Sequence, residues 1–181
     1  MATEEFILLG DALWLDFVNS ALGRVISPPD LLPDPAAFAR WTRLHHLDTA
    51  AGPSPFPRVL ELRARLTELA ELLHDGHQPP PRVIAVLNEQ LARSTGTQQL
   101  IRVAGDWHLR FAPERPLVPL EAIARSAAAT LADGGIAVRR CAGDACSLFF
   151  TDDAQEVRRL WCDAEVCGKH SRIERRRGLR G

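Results

Sequence analysis

The chain has 181 residues, enough for one ordinary domain and a small appended module. Hydrophobic residues make up 46% and charged residues 25%, the balance of a globular chain, and no run of eighteen apolar residues is present to span a membrane. The formal net charge of -1 hides an uneven spread: from Arg139 onward ten Lys/Arg face seven Asp/Glu, and from Lys169 onward six cations face only Glu174. A basic end on an acidic body predicts an interaction tail. The opening stretch carries Glu4 and Glu5 and no basic residue, which argues against a secretory leader and predicts a cytoplasmic protein with reduced cysteines.

The first predicted element lies within Gly10 to Leu22, where Leu13, Trp14, Phe17 and Ala21 recur at helical spacing. A proline-rich loop ends in Asp34-Pro35, a capping residue followed by proline at the first helical position. The helix it starts carries Phe38, Trp41 and Leu44 and is expected to end near Gly52. Arg58 to His74 is the clearest helix, with Val59, Leu62, Leu66, Leu69 and Leu73 on one face and Gly76 and three prolines behind it. Another is expected from Arg82 to Arg93. The period then changes to two: residues 99–103 and 107–111 alternate apolar with polar around Ala104-Gly105-Asp106, which predicts a hairpin. A fifth helix spans Leu120 to Ala132, and Asp133-Gly134-Gly135 marks the expected domain boundary. Trp14, Trp41 and Trp107 read as core residues.

All four cysteines fall between Cys141 and Cys167, spaced C-x(4)-C-x(15)-C-x(4)-C as Cys141, Cys146, Cys162 and Cys167. Zinc takes four thiolates tetrahedrally, and two close pairs on short turns supply that geometry. Four unrelated buried thiols, or two disulfides, would not gather into matched pairs. Four sulfurs leave no position for a catalytic water, so the one ion expected is structural. Between the pairs, residues 147–150 read as a strand, and Asp152 or Asp153 is expected to cap a short helix running to Trp161. The module carries little apolar material of its own. Structural zinc contributes roughly 10–16 kcal/mol of apparent binding energy in small peptides, enough to fold such a segment.

The runs R-R-C-A-G-D-A-C-S-L-F-F-T-D and R-R-L-W-C-D-A-E-V-C-G-K-H resemble the CGNR zinc finger. The N-terminal L-L-G-D-A-L-W-L-D-F-V-N-S and the helix P-L-E-A-I-A-R-S-A-A-A-T-L resemble the ABATE domain that usually precedes it. The name-giving Cys-Gly-Asn-Arg reads Cys167-Gly168-Lys169-His170 here, so the cysteine and glycine are kept and the two polar residues differ. The resemblance implies a stress-response transcription regulator, with an ABATE-like domain at 1–135 and a zinc finger at 136–181. The fold expected is mainly α (α+β): a helical N-terminal domain with a small hairpin, then a four-cysteine module of zinc-ribbon or treble-clef type.

Arg158 and Arg159 precede Trp161-Cys162, and Lys169, Arg172, Arg175 and Arg176 recur at three- and four-residue steps. With His170 and Arg177 they are the candidate nucleic-acid contacts, since a basic face binds phosphates by counterion release. Arg139 and Arg140 flank Cys141, where their charge would offset the thiolates. Asp16 and Asn19 lie within an apolar helix and are read either as a buried hydrogen-bonded pair or as the lining of a small-molecule effector pocket. No G-x-S-x-G, phosphate loop, dinucleotide fingerprint or H-E-x-x-H is present, and the chain is not expected to be an enzyme. The expected partner is DNA. RNA binding, an adaptor role toward an acidic protein and a homodimer through the N-terminal domain remain open alternatives.

Overall fold

The computed structural model describes residues 6–23, 30–47, 54–153 and 159–178, the last five of them by backbone alone. Six α-helices and two antiparallel hairpins follow in chain order. They are α1 (Leu13–Asn19), α2 (Pro35–Leu44), α3 (Phe56–His74), α4 (Pro81–Leu91), β1 (Gly96–Val103), β2 (Asp106–Pro113), α5 (Pro119–Ala132), β3 (Ile136–Arg140), β4 (Phe149–Asp153) and α6 (Lys169–Gly178). A π-helical turn, Ala164–Gly168, runs directly into α6.

Local chemistry sets most of these bounds. Asp34 Oδ1 accepts the Ala37 N–H at 2.7 Å, so α2 starts where its cap and Pro35 place it. It stops at Leu44, short of the expected Gly52, because His46 turns into the left-handed region at φ 53°. Residues 48–53 lie outside the described ones. Gly76, at φ 74°, ends α3: its N–H bonds Leu73 O and the His77 N–H bonds Leu72 O, which satisfies the last carbonyls. At α5 the Glu121 carboxylate accepts the Val118 N–H, and a two-pronged pair with Arg115 at 2.7 and 2.9 Å compensates its burial.

α1 is the centre of the molecule. Six of its seven residues are buried, and α5, α3 and β4 pack around it. Phe17, Phe38 and Trp41 meet with ring centroids 5.5 to 6.0 Å apart, and the Trp14 indole N–H donates to Thr130 Oγ1 at 3.0 Å. Arg63, buried on α3, forks onto Asp30 with two 2.9 Å bonds and reaches Ser20 Oγ. Burial alone would raise the Asp30 carboxyl, but the bonds from Arg63 outweigh it and hold the carboxyl below its ordinary range.

The structure departs from the expected elements at the hairpin and around β4. Trp107 is not core: it is 65% exposed on β2, because the hairpin stands away from the helices. β3 went unforeseen, and it pairs with β4 from Ile136↔Asp153 to Arg140↔Phe149. Asp152 and Asp153 are the last residues of β4, and residues 159–161 have no regular structure, so the expected helix does not reach Trp161. Residues 154–158, where the rest of that expected helix falls, lie outside the described ones.

Candidate metal centre and its basic helix

The β3–β4 hairpin and the turn before α6 converge on the four cysteines. Cys141 follows β3 and donates its N–H to Leu148 O at 2.8 Å. Cys146 closes a turn onto Gly143 O at 2.9 Å, where an added Cβ would lie 3.3 and 3.4 Å from the Cys167 and Cys146 Cβ atoms. The Cys162 loop is tied back by Ala142 N–H to Leu160 O at 2.8 Å. Cys167 sits in the π-helical turn, whose first amides are capped: Asp163 Oδ1 accepts from Glu165 and Val166 at 2.8 and 3.1 Å. Thus two knuckles and one helix start aim their sulfurs inward.

The sulfurs all lie within 4.8 Å of one another and all four cysteines are buried. A zinc ion bonded to four sulfurs at ~2.3 Å needs sulfur–sulfur edges of about 3.8 Å. Cys146–Cys162 and Cys162–Cys167 are each 3.7 Å apart, so the set fits one tetrahedral zinc. Hydrogen bonding among the sulfurs already separates their acidities. Donation from Cys146 and then Cys162 holds Cys141 far below the ordinary thiol range, and the same bonds to Cys141 push Cys146 up to about 12 and raise Cys162 as well. A divalent ion replaces that proton sharing with four thiolate bonds.

The metal cluster is finished by residues from the other end of the chain. Ile7 is buried among Cys141, Cys146, Leu148, Phe150, Cys162 and Cys167, with Leu9, Leu22, Leu31 and Trp161 around them. The Thr151 N–H donates to Gly10 O at 3.0 Å and the Ser147 N–H to Gly23 O at 3.1 Å. This answers the shortage of apolar residues in the finger: the N-terminal segment supplies them. Conversely Val138 and Phe149 of the hairpin belong to the helical core.

Two family models match the chain. ABATE, described as "Putative stress-induced transcription regulator", matches residues 11–134, and the CGNR zinc finger matches 137–178. The chain belongs to the ABATE–CGNR family. A search of curated proteins finds no match. The four clustered cysteines are therefore the one zinc site of a CGNR finger, in a family of transcription regulators. No helix among the described residues is long and apolar enough to cross a membrane.

The basic residues separate into two groups. Arg159 is held against the surface of the body: its guanidinium bonds Asp11 at 2.7 Å and lies 4.1 Å over the Phe150 ring. Arg139 pairs with Asp152 at 2.7 Å, and the Arg140 guanidinium lies 5.1 Å over the Phe149 ring. Lys169 and Arg172 are exposed on α6, with Arg172 lying 6.0 Å over Trp161 and His170 half-buried. Among the described residues, neither Lys169 nor Arg172 enters an ion pair. Arg175, Arg176 and Arg177 continue the same helix, their side chains outside the described ones, and Arg158 lies outside them altogether. Gly168 makes room for Trp161: an added Cβ would lie 3.1 Å from Trp161 Cε3.

Asp16 and Asn19 are buried, and both are bonded to backbone. Asp16 Oδ1 accepts the Gly10 N–H at 2.8 Å, and Asn19 bonds Phe149 through both ends of its amide. They line neither of two surface cavities of about 440 and 560 Å³ that open beside Asp133. Chain composition gave no signal for Ile7, Asp11 or Asp163, whose roles depend on partners brought together by folding.

Proposed function

We propose that this chain is a cytoplasmic DNA-binding transcription regulator, with one structural zinc and a helical N-terminal domain that senses an effector or dimerises. The observation that carries the reading is the junction at Cys167. The fourth ligand residue and the first basic residue of α6 are separated only by Gly168, so the zinc fixes the base from which the cations project. A helix held in this way loses less entropy on reaching a phosphate backbone than a free tail does. Lys169, Arg172, Arg175, Arg176 and Arg177 are the proposed phosphate contacts, with His170 at the side. Arg159 is a weaker candidate, since Asp11 already holds it. Lys169 carries a point charge where the family motif has asparagine, which favours phosphate contact over planar base recognition.

Anisotropy of a labelled DNA duplex at low salt tests the reading with the full zinc-loaded chain. Saturable binding, displaced by unlabelled duplex DNA more readily than by RNA of equal length, is the expected result. Preferential displacement by RNA would assign the helix to RNA. Absence of binding to either would leave an adaptor role toward an acidic protein.

A further inference from the structure

The β1–β2 hairpin carries an unused surface. Its register pairs Leu100 with Leu109, Arg102 with Trp107 and Gln98 with Phe111, so these residues share one face. Leu100, Leu109 and Trp107 are 65%, 69% and 65% exposed. At its base the hairpin is tied to the body, where Arg125 lies 4.3 Å over Phe111 and Thr95 Oγ1 donates to Glu114. Neither strand packs extensively on another described element. A two-stranded hairpin is marginal in water by itself, and both of its strands are open edges. The register is unbroken by a bulge, and proline occurs only at the last position of β2.

The turn determines which backbone groups are free. Ala104 and Gly105 both have positive φ, 51° and 102°, the signature of a two-residue type I′ connection. In such a hairpin the flanking pair, Val103 and Asp106, exchanges both of its backbone bonds. Alternation then turns the N–H and C=O groups of Trp107, Leu109 and Phe111 outward from the free edge of β2. Charge distinguishes the two edges. β1 holds Arg102 and no carboxylate, whereas β2 holds Asp106 and Arg110 on one face, placed evenly about His108.

We propose that two copies of the chain dimerise by antiparallel pairing of their β2 strands across a two-fold axis at His108. In that register Asp106 of each copy faces Arg110 of the other, on the same side of the sheet. Trp107 faces Leu109 of the other copy, and the outward backbone groups of both residues meet as a bonded pair. The product is a four-stranded sheet with a continuous apolar face. It obeys the isologous symmetry of most homodimers: each contact occurs twice. A shift by one residue would place the outward amides of one strand against the inward-pointing groups of the other. A two-residue shift toward Leu109 would set His108 against Arg110.

Sedimentation velocity on the full chain at tens of micromolar, well above a ~1 μM dissociation constant, tests this. The native protein should sediment at twice the 20.0 kDa chain mass. Arg110→Asp and Asp106→Arg, each with native circular dichroism, should each be monomeric because like charges face across the axis. Mixing the two variants restores both Asp–Arg pairs and should yield a heterodimer, as should the double swap Asp106→Arg/Arg110→Asp yield a homodimer. A monomeric native chain, or a dimer indifferent to these changes, would overturn the proposal. So would a mixture of the single variants that stays monomeric.

Discussion

Asn19 on α1 completes the edge of β4 by bonding Phe149 twice: its Nδ2 donates to the Phe149 carbonyl at 2.8 Å and its Oδ1 accepts the Phe149 N–H at 2.8 Å. The amide thus acts as a fragment of neighbouring strand inside a site with no water access, Asn19 being fully buried. Together with Thr151 N–H to Gly10 O it fixes the zinc hairpin to the helical body.

Replacing Asn19 with alanine leaves a buried N–H and a buried C=O without partners, at roughly 1–3 kcal/mol each. Urea unfolding should therefore show a loss of about 2–6 kcal/mol, and a chelator should remove zinc faster from the variant. A change within ~0.5 kcal/mol, the size of an ordinary surface substitution, would mean that the amide is dispensable.

The Asp16 carboxyl predicts an unusual pH response. Burial is the main cause that raises it to about 6 from 3.8, offset in part by the Gly10 N–H. The folded state holds this proton more tightly than the unfolded state does, so the contribution of Asp16 is greatest at low pH. It is lost as pH rises through the interval from 3.8 to about 6. Asp16→Asn keeps an acceptor for Gly10 and removes the charge. Relative to native protein, the variant should gain up to about 3 kcal/mol at pH 8 and almost nothing below about pH 3. Taking the difference cancels the titration of the cysteines. A difference that does not vary with pH would contradict the assignment.

How much of this was legible in advance depended on how local the cause was. The cysteine spacing needs only short turns to become a metal site, and the α3 face is a repeat within one element, so both were read from the sequence. The hairpin was found from its alternation, yet alternation does not say what covers the apolar face, and Trp107 was misplaced for that reason. β3 was missed because Ile136 to Arg140 is short and is defined by its partner β4. The Arg63–Asp30 fork spans 33 positions of chain, and nothing in either residue's neighbourhood announces the other. Asp16 and Asn19 stood out as polar residues in an apolar helix, but their backbone partners lie in segments that only the fold brings alongside.

The shared cores give a prediction about modularity. Elemental analysis of protein purified without added metal should find one zinc per chain, and chelation should loosen the Ile7–cysteine cluster while most helical circular dichroism remains. A chain cut after Asp133 should still fold, because Trp14, Phe17, Trp41, Leu66 and Ile123 stay together in the main cluster. It loses Phe149, Val138 and the partner of Asn19, so its stability should drop by about 3–5 kcal/mol, the range for emptying a buried aromatic site. A fragment as stable as the full chain would show that the hairpin contributes nothing to the helical core.

The salt dependence of duplex-DNA binding tests the central claim most directly. Each phosphate neutralised adds about −0.9 to the slope of log affinity against log salt. With Lys169, Arg172, Arg175 and Arg176 replaced by alanine, binding should weaken and the slope should flatten by roughly 3–4 units. Arg93→Ala, just after α4, where Arg93 pairs with Glu89, should leave the slope unchanged. Affinity and slope unaltered in the α6 variant, with native binding intact, would contradict the account.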